Sequence, residues 1–171
     1  MLAALVAPLG AGARSEIAVA PRLYPPCLAR DVAGLPWTHR AYGRDIPGVA
    51  IRNLSLATCS IWGFPKIRVY DIDDSTIATT LAKKTLFDKN PNIVYAIEPA
   101  QAAFFAFYGH AGNGPFDRSC ALYNRIAVFL ASDPNHGIDV TMNAGTCGKR
   151  FTVSQIFTVA ELRSRLDPNS R

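Results

Sequence analysis

The chain has 171 residues, 49 % of them apolar and 18 % charged, which supports a buried core and excludes a largely disordered polymer. Its formal charge of +5 comes from 18 basic and 13 acidic residues. The basic residues are scattered, with only short clusters at Lys83-Lys84 and Lys149-Arg150. Nucleic-acid binders concentrate such charge on one face, so no nucleic-acid partner is expected, and what remains is weak attraction to anionic polymers or membrane surfaces.

Residues 1–20 are expected to form a signal peptide or a disordered N-terminus. Leu2 to Ala13 is an apolar run ending in Ala11-Gly12-Ala13, and Ala18-Val19-Ala20 is a second small-x-small site. Either suits signal cleavage, although no basic residue precedes Leu2. The run is shorter than the ~20 apolar residues a bilayer span needs, so no transmembrane segment is expected. No lipobox cysteine follows it, which argues against lipid anchoring.

Residues 21–157 are read as one β domain. From Ser15 to Gly48 little regular structure is expected, because Pro21, Pro25, Pro26, Pro36 and Pro47 break any helix longer than a turn. Cys27 to Val32 has room for one turn, and Trp37 and Tyr42 should lie on the core with their polar tips outward. Val49 and Ile51 alternate with Ala50 and Arg52 as a half-buried strand. A turn at Asn53 to Ser55 leads to a strand over Thr58 to Trp62. Gly63-Phe64-Pro65 then reads as a corner that changes strand direction. Lys66 to Asp71 alternates polar and apolar with period two, the clearest strand pattern in the chain. Asp71 to Ser75 is a turn composition, and Thr76 to Ala82 should pair back as a hairpin.

After a turn at Asp88 to Asn92, Ile93 to Ile97 is a strand stopped by Glu98-Pro99. Ala102 to Tyr108 is almost wholly apolar and belongs in the middle of a sheet. Gly109 to Pro115 is a loop. Leu122 to Leu130 is a strand with Ile126, Val128 and Leu130 on one face. Asp133 to Gly137 turns the chain into a strand with Ile138, Val140 and Met142, and Phe151, Val153 and Gln155 mark the last. About eight short strands, with turn signals roughly every ten residues and no helices between them, point to an all-β, antiparallel immunoglobulin-like β-sandwich. Helical crossovers are missing, so a parallel α/β fold does not fit. Residues 158–171 differ: Thr158 and Glu161 match a capping box, and Val159, Leu162 and Leu166 share one face of a short C-terminal helix over 159–166.

Cys27, Cys59, Cys120 and Cys147 are well separated, and no pair has the spacing of a zinc or redox motif. Four cysteines in an exported chain allow three pairings. Cys27–Cys59 with Cys120–Cys147 is the expected one, and a central Cys59–Cys120 bridge is the alternative. Each bridge would add about 3–4 kcal/mol in the chain-entropy account.

Candidate chemistry is sparse. Asp71, Asp73 and Asp74 sit in a turn that lacks the glycine of a calcium loop, and a solvated hairpin turn is the better reading. His39, His110 and His136 fall in three different loops. There is no G-x-S-x-G elbow and no H-E-x-x-H, and oxidised sulfur cannot act as a thiolate nucleophile. The glycine-rich stretch Gly109 to Pro115 lacks the following helix of a phosphate cradle. Asn53-Leu54-Ser55 is a formal glycosylation sequon. Trp62, Phe64 and Tyr108 lie near corners, where they would be able to line a groove for sugar or peptide. No catalytic residue, metal site or cofactor is therefore assigned.

The order Cys27, Arg52-Asn53, Cys59-Ser-Ile-Trp-Gly63-Phe64-Pro65, Ile67-Arg68-Val69, Glu98-Pro99, Cys120 and Cys147-Gly148 resembles a bacterial family of exported domains, catalogued as domain of unknown function number 4232. The resemblance covers Cys27 to Phe157. Ala100 departs from it, because the family usually has glycine after this proline, and so does the C-terminal helix. It implies secretion or surface anchoring, a β-sandwich and no assigned activity. Together these readings favour an exported, non-catalytic, disulfide-stabilised monomer that binds an envelope or extracellular partner. Two alternatives are a hydrolase or metal-dependent enzyme using Asp71, Asp73, His110 and His136, and a structural subunit of a surface assembly.

Overall fold

The computed structural model describes residues 24–41, 44–84, 92–109, 120–147, 150–158 and 161. Among them the chain forms one 3₁₀ turn, Ala29–Asp31, and eleven strands: β1 Val32–Ala41, β2 Arg44–Asn53, β3 Cys59–Trp62, β4 Lys66–Asp71, β5 Thr76–Ile77, β6 Thr80–Lys84, β7 Val94–Ile97, β8 Ala102–Gly109, β9 Cys120–Leu130, β10 Asp133–Cys147 and β11 Arg150–Ser154. They build a five-stranded sheet in the order β1-β2-β8-β11-β6, a four-stranded sheet in the order β10-β9-β4-β5, and a two-stranded pair of β3 and β7. The all-β class follows from the period-two patterns. On β4, Ile67 and Val69 are buried while Lys66 and Arg68 are exposed, which is what alternate side chains on a pleated strand must do when one face is covered.

One apolar cluster joins all three sheets. Val49, Ile51, Phe105, Phe107, Phe151 and Val153 come from the five-stranded sheet, Val69, Ile126, Val128 and Val140 from the four-stranded one, and Ile61 and Ile97 from the pair. Across that interior Tyr123 of β9 meets the edges of Phe107 and Phe151, at 6.0 and 5.8 Å between ring centres, and these two phenylalanines stack on each other at 4.9 Å. β8 lies at the centre of its sheet, where its apolar run belongs.

Four expectations are corrected. First, the proline-rich segment before Gly48 is not irregular: β1 and β2 form a long antiparallel hairpin, Val32 opposite Asn53 and Ala41 opposite Arg44. Its prolines sit where a sheet tolerates them. β1 is an edge strand, and Pro47 lies just outside the stretch Gly48 to Arg52 that pairs with β8. Second, Thr76 to Ala82 is not one returning strand. β5 pairs back onto β4 for two residues, and β6 leaves for the other sheet and runs parallel to β11. Among the described strand pairs this is the parallel one, and the isolated bridge between Pro26 and Ser60 is parallel as well. Third, the turn after β9 is Ala131-Ser132, and Asp133 to Gly137 belongs to β10 as an irregular stretch between Asp133 opposite Leu130 and Ile138 opposite Val128. Fourth, the strands number eleven among the described residues rather than about eight.

The segment before the 3₁₀ turn lies beside β3. Cys27 N–H donates to the Ser60 carbonyl at 2.9 Å, and Ser60 N–H to the Pro25 carbonyl at 2.8 Å. The Cys27–Cys59 disulfide closes this arrangement with 4.9 Å between its α-carbons, and both half-cystines are buried. Next along the chain, Gly63 adopts φ +79°, a left-handed conformation that a Cβ disfavours. With buried Pro65 it hands the chain from the β3–β7 pair into the four-stranded sheet. The Gly63 carbonyl accepts the Ile156 N–H at 3.0 Å, so this corner is held by the C-terminal end of the domain.

Beyond β11 the chain carries a bulge. Ser154 Oγ, instead of a backbone carbonyl, accepts the Ala106 N–H at 2.8 Å, and the ladder resumes at Phe157 with two 2.8 Å bonds to Phe104. Trp37 packs over this place, 5.3 Å from Phe104 and 5.9 Å from Phe157. The capping-box contacts are present: Thr158 N–H donates to Glu161 Oε2 at 3.2 Å, and Glu161 N–H to Thr158 Oγ1 at 3.5 Å. The remainder of the expected C-terminal helix, Tyr42, most of the expected turn at 88–92, the loop after Gly109 and the N-terminal 23 residues lie outside the described residues.

Candidate functional site

The outer face of the four-stranded sheet is the most organised polar surface. Period two fills it: Lys66, Arg68 and Tyr70 from β4, Arg125, Ala127 and Phe129 from β9, and Asp139 and Thr141 from β10, while Ile67, Val69, Ile126, Val128 and Val140 point inward. Register then decides which of them meet. Lys66 lies opposite Phe129, Arg68 opposite Ala127 and Tyr70 opposite Arg125.

Two arginines on this face lie over aromatic rings. The Arg125 guanidinium carbon is 3.9 Å from the centre of Tyr70, a cation–π stack. Its donors are taken: Nη1 donates to Asp139 Oδ1 at 2.9 Å, and Nε and Nη2 to Asp74 Oδ1 at 3.2 and 3.1 Å. The Arg68 guanidinium carbon is 5.5 Å from the centre of Phe129. The Phe129 ring rests beside Gly137, where a Cβ would come within 3.2 Å of it. Arg68 is exposed, and among the described residues no carboxylate reaches it. Lys66, two residues away on the same strand, is exposed as well.

The residues singled out from sequence are mostly structural where they are described. Cys27 and Cys59 form the disulfide. Cys120 and Cys147 stand opposite each other in the β9–β10 ladder, and their side chains lie outside the described residues. Phe64, half-buried, has the Lys83 ammonium 5.7 Å from its ring centre. Trp62 is half-buried in β3, and the side chain of Tyr108 lies outside the described residues. Asp71 Oδ1 accepts the N–H groups of Asp73 and Ser75 at 3.0 and 2.8 Å, which caps its own turn. His136 Nδ1 donates to Asp133 Oδ1 at 2.7 Å, and Asp133 Oδ2 accepts the Ala29 N–H at 3.1 Å. The hydrogen bond from His136, then that from Ala29, hold the Asp133 carboxyl below the usual carboxylate range.

Asp71 and His136 are not brought together. Asp71 lies opposite Tyr123 and Asp133, the partner of His136, opposite Leu130 on the same strand, about 20 Å along it. No group of three potential metal ligands occurs among the described residues. His110 and the side chain of His39 lie outside them.

Sequence reading missed the role of Asn53. It is fully buried, and its Nδ2 donates to the carbonyls of Ala57 at 2.8 Å and Ile97 at 2.9 Å. Its Oδ1 accepts from Ser55 N–H at 2.9 Å and Ser55 Oγ at 2.8 Å. The sequon asparagine is therefore a bracket between β2, the following turn and β7, with its amide nitrogen occupied. The contact of Tyr95 with Glu161 was also missed, Glu161 being expected only as a capping residue. Burial first, and then the hydrogen bond to buried Glu161, push the Tyr95 hydroxyl well above the ordinary phenol range. No family model matches this chain, and no curated protein or solved structure matches it.

Proposed function

We propose that this chain is an exported binding module, an immunoglobulin-like β-sandwich with a short C-terminal helix, that engages a partner at the cell envelope through the outer face of its four-stranded sheet and carries out no reaction of its own. The observation that carries the reading is the aromatic-backed Arg68 beside Lys66, two exposed cations on a rigid sheet with their donors turned to solvent. The buried Cys27–Cys59 disulfide supports the compartment, since such bonds persist outside the reducing cytosol. The resemblance of the Cys59 to Pro65 corner and of the cysteine order to an exported family supports the same compartment, although no family model matches.

The alternative of a surface-assembly subunit would use a free sheet edge. One such edge, β1, carries Pro36 in its middle, which interrupts a continuing ladder. The alternative of a hydrolase finds Asp71 committed to its turn and His136 to Asp133. The reading is tested by co-sedimenting the oxidised full chain with an envelope fraction from the source cells. The protein should be retained, and Lys66→Ala combined with Arg68→Ala should release it while leaving its circular dichroism unchanged. Equal retention of both proteins, or of neither, would overturn the proposal.

A further inference from the structure

The two arginines of this face form an internal comparison. Both are laid on an aromatic ring, and both project from neighbouring strands of one sheet. Arg125 has its donor fork filled by the carboxylates of Asp74 and Asp139. Arg68 has the same kind of support and no carboxylate among the described residues. A guanidinium resting over a ring has already lost part of its rotamer freedom, so it gives up less on meeting a planar anion. Fork and carboxylate fit in a two-point geometry that an ammonium cannot copy.

The strand sets the spacing. Lys66 and Arg68 are separated by one residue on β4 and face the same way, which puts them about 7 Å apart. An extended polypeptide repeats its own same-side side chains at that same interval. Neighbouring positions are flat and mixed rather than deeply apolar: Ala127, Phe129 and Thr141. The nearest acids on this face, Asp74 and Asp139, are engaged by Arg125, so their charge is partly offset toward an incoming anion.

Building on the proposed function, we infer that the partner is an acidic polypeptide, which lays an extended segment across β4 and places carboxylates two residues apart on Arg68 and Lys66. In the complex, the partner's carboxylate does for Arg68 what Asp74 and Asp139 do for Arg125.

The test titrates the oxidised full chain with a synthetic peptide of alternating glutamate and threonine, followed by calorimetry and by amide chemical shifts. Binding should perturb β4 and β9, weaken as salt is raised, and fall about tenfold in Arg68→Gln. Arg68→Lys, which keeps the charge and loses the fork, should fall by nearly as much. Phe129→Leu should weaken binding with the charge untouched, and a thermal melt of each variant confirms that it is folded. No binding of the peptide overturns the inference. So does equal affinity for polygalacturonate and for the peptide with Arg68→Lys unchanged, which is attraction of a +5 chain for any polyanion. If the peptide fails while envelope retention still depends on Lys66 and Arg68, the acidic-polypeptide inference falls and the binding-module reading stands.

Discussion

Ala100 occupies a position where a glycine is the easier residue. Its φ is +64°, and the Gln101 N–H closes the turn on the Glu98 carbonyl at 3.0 Å. With Pro99 at the first central position and a left-handed residue at the second, this is the arrangement of a type II turn. A Cβ in that region costs about 1–2 kcal/mol. The turn nevertheless forms, because the Ala100 N–H donates to the Asn53 carbonyl at 2.9 Å and its carbonyl accepts from Arg52 Nε at 3.2 Å. Ala100→Gly should therefore raise the unfolding free energy by about 1 kcal/mol, read from the urea midpoint. Asn53 works in the opposite sense. Asn53→Ala leaves the carbonyls of Ala57 and Ile97 without this donor and the Ser55 N–H without its acceptor, at a cost of about 2–4 kcal/mol. When the wild-type chain is expressed in a glycosylating host, the folded protein should show no added mass at Asn53. That asparagine was legible as a turn residue. Its bracket role was not, since its second carbonyl partner is 44 residues away.

At the level of elements, register decides what composition leaves open. The β9–β10 ladder sets Cys120 opposite Cys147, the second bridge of the expected pairing. Non-reducing peptide mapping should recover two cross-linked peptides, Cys27 with Cys59 and Cys120 with Cys147. Losing the first bridge through Cys27→Ser with Cys59→Ser should cost about 3–4 kcal/mol. The Asp133 stretch looked like a turn because its residues are turn formers. Its carboxylate is instead spent on joining β10 to the 3₁₀ turn beside Cys27. A carboxyl held below its ordinary pKa of about 3.9 stabilises the fold above that pH, and the contribution is lost as pH falls through the lowered value. Asp133→Asn should be less stable than wild type near pH 6, and its acid unfolding curve should fall less steeply below pH 4. β5 and β6 show the limit of local pattern most plainly. Thr76 to Ala82 is evenly β-favouring, and only the parallel partner β11, beginning at Arg150 opposite Thr80, divides it. The candidate face was half legible: the alternation of Lys66, Arg68 and Tyr70 announced an outward row, but Phe129 and Arg125 reach that row only through cross-strand register.

Taken as a whole, the molecule is held by one interior in which aromatic rings from separate sheets meet. Tyr123 is buried there against Phe107 and Phe151, and burial pushes its hydroxyl up to about 12. A phenol raised above its unfolded value near 10 stabilises fully below that pH, and the benefit is lost as pH rises toward 12. Tyr123→Phe should flatten the alkaline limb of the stability curve over that window, measured by denaturant titration at successive pH values. The class of the fold was readable because period two is clear on strands such as β4 and β7 and no helical period interrupts the short β-favouring runs. The order of strands was not, because period two carries no information about which neighbour a strand takes.

The position of β11 between β8 and β6 has a consequence for synthesis. Among the described strands, the one that completes the larger sheet is synthesised last, so translation of most of the described residues passes before the interior is able to close. On the export reading proposed above, such a chain would stay threadable until its final ladder forms.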